Sequence, residues 1–140
     1  MKPPRLLIDT NIILDALMQR EPWANAAQSL ILAVAQDRAA GYITASSFTD
    51  IHYLLRKHQK DKALTKQSLR KLLVIISVLD VNGVDCEKTF DIPINDYEDA
   101  LLACCGQRHK VDFIITRNLK DFTNSPIKAI GADAILKKLI

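Results

Sequence analysis

The sequence predicts a three-layer α/β domain with a central parallel sheet, and three observations predict it. Leu6-Leu7-Ile8 is a short apolar run that ends abruptly in Asp9-Thr10-Asn11. Later runs, most clearly Phe113-Ile114-Ile115-Thr116, have the length and apolar character of buried strands. Between these runs apolar residues recur at helical spacing. Strands alternating with helices imply a parallel sheet joined by right-handed crossovers.

Taken in order, Leu6–Ile8 is the first strand, and Ile12-Ile13-Leu14 with Ala16-Leu17-Met18 form a helix directly behind it. Helical periodicity resumes near Trp23 and runs through Ala27, Leu30, Ile31 and Val34. Pro22 suits the first turn of that helix, and Gly41 is its expected break. Tyr42-Ile43-Thr44 reads as a second strand. Ser46-Ser47 open a third helix with apolar positions Phe48, Ile51, Leu54 and Leu55. Thr65 is the expected cap of a fourth, which carries Leu69, Leu72, Leu73, Ile76 and Leu79. Leu79-Asp80-Val81 is a further strand candidate, followed by a short helix around Cys86 to Phe90. Asn95 is the expected cap of a helix through Asp99, Leu102 and Cys105. After the strand at Phe113–Thr116 come a weaker one at Ile127–Ile130 and a last helix from Ala132 to Leu139. No repeat, low-complexity segment or Pro/Gly linker interrupts the pattern, so residues 1–140 read as a single domain.

A chain of 140 residues, 49% hydrophobic and 25% charged, is long enough and ordinary enough in composition to bury a proper core. No apolar run approaches the roughly 18 residues of a membrane helix. Met1-Lys2-Pro3-Pro4-Arg5 lacks the apolar region of a secretory signal behind its charges. Three cysteines, two of them adjacent at Cys104 and Cys105, suit a reduced cytoplasmic interior better than a disulfide frame. The net charge of +3 is too small to prove a nucleic-acid partner.

Acids recur at one kind of place. Asp9 follows the first strand, and Asp50 lies early in the helix after the second. Asp99, with Asp96 one turn before it, lies early in the helix that starts near Asn95. Asp121 follows Thr116-Arg117-Asn118 after the late strand. In a parallel sheet such turns open on the same edge, where α/β folds bind ligands. Each acid also has a plain structural explanation. Asp9 or Thr10 suits a helix cap, and Ser47-x-x-Asp50, Asn95-x-x-Glu98 and Asn118-x-x-Asp121 resemble capping boxes. Capping does not ask for a shared mouth, however. Carboxylates held together raise one another's pKa, and a hard divalent cation with oxygen ligands relieves that repulsion. One such ion, or two, suits phosphodiester hydrolysis because it activates water and stabilises both the attacking and leaving oxygens. The chain has no Gly-rich phosphate loop and only four glycines.

Four ordered stretches resemble the PIN domain family. They are Leu-Ile-Asp-Thr-Asn at residues 7–11, Ile43 through Lys57, Asp96-Tyr97-Glu98-Asp99-Ala100-Leu101-Leu102-Ala103, and Ile115 through Phe122. The size resembles that of VapC-like toxins of toxin–antitoxin pairs. The resemblance implies a metal-dependent ribonuclease that uses Mg²⁺ or Mn²⁺ and leaves a 5′-phosphate and a 3′-hydroxyl. It implies Asp9 and Asp99 as metal ligands, with Asp50 standing where many members have glutamate. Asn118 stands where many members carry a fourth acid, so Asp121 or Asp96 is expected to supply the missing charge. Asn11, Thr10 and Thr116 are implied as orienting groups, alongside an RNA substrate, a cognate antitoxin protein and a homodimer.

Arg56, Lys57, Lys60, Lys62, Lys66, Arg70 and Lys71 form a basic strip, either a path for RNA or a solvated face. Arg117 and Lys120 are expected beside the acidic mouth, facing the scissile strand or an antitoxin acid. His52 and His58 do not suit a hard-cation site. Cys86, Cys104 and Cys105 read as core or near-core thiols, and Trp23 as a packing residue. Two other readings compete with a nuclease. One is a catalytically weak PIN-like module that binds RNA or protein, favoured by Asp50 and Asn118. The other is a phosphatase or receiver-like domain. The phosphatase would want an aspartate where Asn11 stands, and the receiver an acidic pair that Lys2–Ile8 lacks.

Overall fold

The computed structural model describes residues 2–139. Five parallel strands form one sheet in the order β3-β2-β1-β4-β5, with β1 at Arg5–Ile8, β2 at Ala40–Thr44, β3 at Ser77–Leu79, β4 at Phe113–Ile115 and β5 at Ala129–Ile130. The helices are α1 (Thr10–Leu17), α2 (Ala24–Ala35), α3 (Ala45–Gln59), α4 (Lys62–Ile75), α5 (Gly83–Lys88), α6 (Tyr97–Arg108) and α7 (Ala132–Lys138). Short 3-10 turns lie at Thr89–Asp91 and Leu119–Phe122.

Two cores sandwich the sheet, which is why its strands are apolar throughout. Leu6 and Ile8 face the larger core with residues of α1, α2, α3, α4 and α7, among them Ile13, Leu30, Ile51, Leu69 and Ile135. Leu7 faces the smaller core with Leu102 and Ala103 of α6, Ile114 and Phe122. Gly106 permits that packing: a Cβ there would stand 3.1 Å from Leu7 Cδ2. The three-layer α/β expectation is therefore met.

Boundaries differ from the sequence expectation for identifiable reasons. Helix α2 stops at Gln36 because Asp37 takes a left-handed φ of 61°, well before Gly41. Gly41 lies inside β2 instead, where a Cβ would come within 3.0 Å of Val34. Gln19, Lys60 and Lys110 likewise end helices with positive φ, a place where glycine is the usual signal. The cap of α4 is Asp61, whose side chain accepts from Leu64 N at 3.1 Å, and Thr65 is buried one turn inside. The cap of α6 is Asp96 rather than Asn95. Strand β3 ends at Leu79, leaving Asp80 and Val81 outside it.

Strand order decides where a ligand can sit. The connections from β1 to β2 to β3 run one way across the sheet, whereas β4 and β5 lie on the other side of β1. The carboxyl ends of β1 and β4 therefore flank a topological switch point, the place where open α/β sheets form a crevice. Asp9 and Thr116 are the first residues past those two ends.

Candidate active site

Sheet register builds the centre of the site. Ile8 pairs with Ile115, so Asp9 and Thr116 follow side by side. The Asp9 backbone N donates to Ile115 O at 2.9 Å. Thr116 Oγ1, fully buried, donates to Asp9 Oδ2 at 2.8 Å and accepts from Asn118 N at 3.0 Å. The other Asp9 oxygen accepts from Thr10 N at 2.8 Å as α1 begins. Asp9 thus caps α1 and faces the crevice as well. Burial pushes its pKa up, opposed by the Thr116 and Thr10 hydrogen bonds and by the Arg117 charge, while Asp96 raises it further.

A cleft of about 430 Å³ opens here. Asp9, Thr10 and Asn11 form one wall, Asp50 of α3 and Asp99 of α6 the others, with Asn118 at the rim. Asp50 is exposed in the second turn of α3. Helix α3 is capped by Thr44, whose Oγ1 accepts from Ser47 N at 3.1 Å. Ser47-x-x-Asp50 is therefore no capping box, and capping does not explain Asp50. Asn11 Oδ1 lies 3.4 Å from Arg20 Nη2, which also donates to the Asn11 carbonyl at 3.1 Å.

Asp99 links this cleft to a second of about 450 Å³, lined by Asp96, Asp121 and Lys120 among others. Asp96 Oδ1 accepts from Asp99 N at 3.0 Å. Burial and then the charges of Asp96, Asp9, Asp121 and Glu98 push the Asp99 pKa up to about 6 from an ordinary value of 3.8. The structure brings Asp9, Asp50 and Asp99 to one cleft. It gives Asp96 and Asp121 to the neighbouring one, where they reach the centre through Asp99. Thr116 acts from beneath, through Asp9.

Every carboxylate and amide here is a hard oxygen donor, the set that suits a divalent cation. Among the described residues no three acidic, histidine or cysteine side chains already stand close enough to hold one ion. The donor chemistry fits; the donors are not yet gathered.

Arg117 is corrected. Its Nε donates to Asp15 Oδ2 at 2.8 Å and its Nη2 to Oδ1 at 3.2 Å, and its guanidinium lies 3.8 Å from the Trp23 ring centroid. Asp15 is fully buried and also pairs with Arg20 Nε at 2.9 Å. Arg117 is therefore committed to an internal clasp. That pairing spans 102 residues, and no local signal announces it. Lys120 does line the acidic mouth. Tyr53, Glu98 and Ser46 also line the first cleft and were not among the site residues expected from sequence, although Tyr53 lies one turn beyond Asp50. His52 and His58 stand exposed on α3, Cys104 and Cys105 are buried, and Cys86 is exposed rather than core. The basic strip falls at the far end of α3 and along α4. By helix rise, Lys60 is about 15 Å from Asp50.

An α/β sheet with a carboxylate cleft at its switch point defines the class of protein. The chain belongs to the PIN domain family, whose model matches residues 5–120. It is similar to three solved structures, at levels of identity that speak for fold. A toxin–antitoxin complex from Klebsiella pneumoniae has TM-score 0.68 and 21% identity over 91% of this chain and 97% of that one. VapBC-1 from nontypeable Haemophilus influenzae has TM-score 0.68 and 18% identity over 92% and 98%. VapC20 from Mycobacterium tuberculosis, a Sarcin-Ricin loop cleaving toxin, has TM-score 0.60 and 12% identity over 78% and 86%. No curated protein matches the sequence.

Proposed function

We propose that this chain is a divalent-metal-dependent endoribonuclease, the toxin of a toxin–antitoxin pair. The observation that carries the reading is the convergence of Asp9, Asp50 and Asp99 on one cleft, with Asp99 pushed up to about 6 by burial and then by its acidic neighbours. Such mutual repulsion has no stabilising role in the fold, and a cation would relieve it. Similar proteins described as toxin–antitoxin complexes and as a loop-cleaving toxin support the biological role.

Asp9, Asp99 and Asp50 would hold Mg²⁺ or Mn²⁺, with Asp96 or Asp121 adding charge through the second cleft. A bound ion would make a water easier to deprotonate and stabilise charge on the phosphodiester oxygens. The chain's own residues do the placing. Thr116 fixes the Asp9 carboxylate, Arg20 fixes Asn11 at the rim, and Lys120 offers a positive charge toward the strand. An antitoxin, a homodimer and a cytoplasmic setting belong to the same reading.

The test is cleavage of a broad RNA panel by purified protein with Mg²⁺ or Mn²⁺, against the same reactions with EDTA. Cleavage that EDTA leaves untouched, or that survives Asp9→Asn with Asp99→Asn, would overturn it. A second reading, a binding module without cleavage, is favoured by Asp50 and Asn118, which both line the cleft and both depart from the acids many family members carry there. RNA binding with no cleavage under any divalent ion would establish that one.

A further inference from the structure

Trp23 and Arg117 form a rigid platform beside the acidic centre. Trp23 is 41% exposed although the Arg117 guanidinium lies over its ring, 3.8 Å from the centroid. Arg117 cannot swing away freely, because both its hydrogen bonds run to the fully buried Asp15. A separate cavity of about 430 Å³ opens against this platform, walled also by Pro22, Leu119 and Ile12 and reaching Thr116, the partner of Asp9.

We propose that this cavity is a nucleobase subsite, in which a base of single-stranded RNA stacks on Trp23 one step from the cleft that holds Asp9. Every base has a π-face, so the platform accepts RNA without reading its sequence. Arg117 behind the ring adds a cation–π contribution to the stack. Asp133 in the same wall disfavours a phosphate there, and a neutral base is unaffected by it. The proposal rests on the reading of the chain as an RNA-acting protein, and it names part of the path the substrate takes.

Trp23 is the single tryptophan, so its emission reports the platform directly. The experiment titrates a short single-stranded oligouridylate RNA into an Asp99→Asn protein, expected to leave the strand uncut, and follows tryptophan emission. A matched strand lacking bases controls for binding by charge alone. The expected result is quenching by the base-bearing strand. Its affinity, read in every variant from the fluorescence anisotropy of an end-labelled strand because the Trp23 variants lack the tryptophan signal, should fall about 5- to 100-fold in Trp23→Ala and stay within about threefold in Trp23→Phe, each variant checked for folding by circular dichroism. Unchanged emission, absent binding, or equal binding of the strand without bases would each overturn the subsite. Trp23-dependent binding without cleavage by the unsubstituted chain would keep the subsite and remove the nuclease. Cleavage with no dependence on Trp23 would do the reverse.

Discussion

Helix α6 meets a carboxylate at each end, and the two are treated oppositely. At its C-terminal end Arg108 holds the buried Asp85, with Nε at 2.7 Å from Oδ1 and Nη2 at 2.8 Å from Oδ2, and the arginine hydrogen bond draws that pKa down. Asp85 also closes a capping box with Asn82 at the start of α5. At the N-terminal end Asp99 is pushed up to about 6 by burial and then by the charges of Asp96, Asp9, Asp121 and Glu98. Asp15 follows the first pattern, held by Arg117 and Arg20. Acids that serve the fold are neutralised by arginine, which the protein carries with it. Asp99 at the mouth has no such arginine hydrogen-bonded to it, and its nearest charges are other acids.

The largest expected effect lies at the unneutralised end. Asp99→Asn should cut metal-dependent RNA cleavage by more than about 100-fold, since even groups that merely orient metal ligands are worth about 10–100-fold. The same substitution should raise the melting temperature of metal-free protein at pH 7, because it removes a like charge. A variant that cleaves normally would place the chemistry elsewhere. At the neutralised sites the effects should reverse. Asp15→Ala should leave two arginines without their acid and cost about 3 kcal/mol in urea unfolding, the low end for a broken buried pair because both arginines keep about a third of their surface in water. A loss under about 1 kcal/mol would show that the clasp is not structural.

Thr116→Val keeps the buried volume and removes the hydroxyl that fixes Asp9. Activity at saturating metal should drop about 10–100-fold with little change in folding, read from kcat and a metal titration. The smallest effect is on pH. Asp99 has a folded pKa raised above 3.8, so its ionised form subtracts stability fully above about 6, and that deficit fades as pH falls. Asp85, drawn down, adds stability above its ordinary value and loses it as pH falls through its lower folded pKa. In EDTA the melting temperature should therefore rise from pH 7 to about pH 5 and fall below about pH 4. Asp99→Asn should flatten the upper limb only. Metal affinity should weaken as pH drops through about 6, where protons compete with the ion for Asp99 and its coupled neighbours.

Much of the fold was legible because it rests on local pattern. The runs at Leu6–Ile8 and Phe113–Ile115 are fully apolar because they are covered on both faces, and they stand within a residue of their observed places. Helix ends were less legible. Asp37, Lys60 and Lys110 close helices in a left-handed conformation that glycine usually signals, so tertiary context overrides the residue's own preference. Asp9 could be placed at the mouth because it ends a parallel strand, and Asp99 because a helix that leads back into the next parallel strand, here α6 into β4, starts at that same edge. The division of Asp96 and Asp121 from Asp50 into two clefts could not, since it depends on how α6 and the turn at Leu119–Phe122 pack.

The sequence by itself determined the α/β class, the parallel sheet and the acids at its edge, because hydrophobic period and strand-end chemistry are properties of neighbours along the chain. Tertiary structure alone decided that Thr116 meets Asp9 and that Arg117 turns inward to Asp15. It also decided that Trp23 stays half in water above Arg117. Those contacts join residues about a hundred positions apart, and only the register of β1 against β4 brings them within hydrogen-bonding or stacking distance.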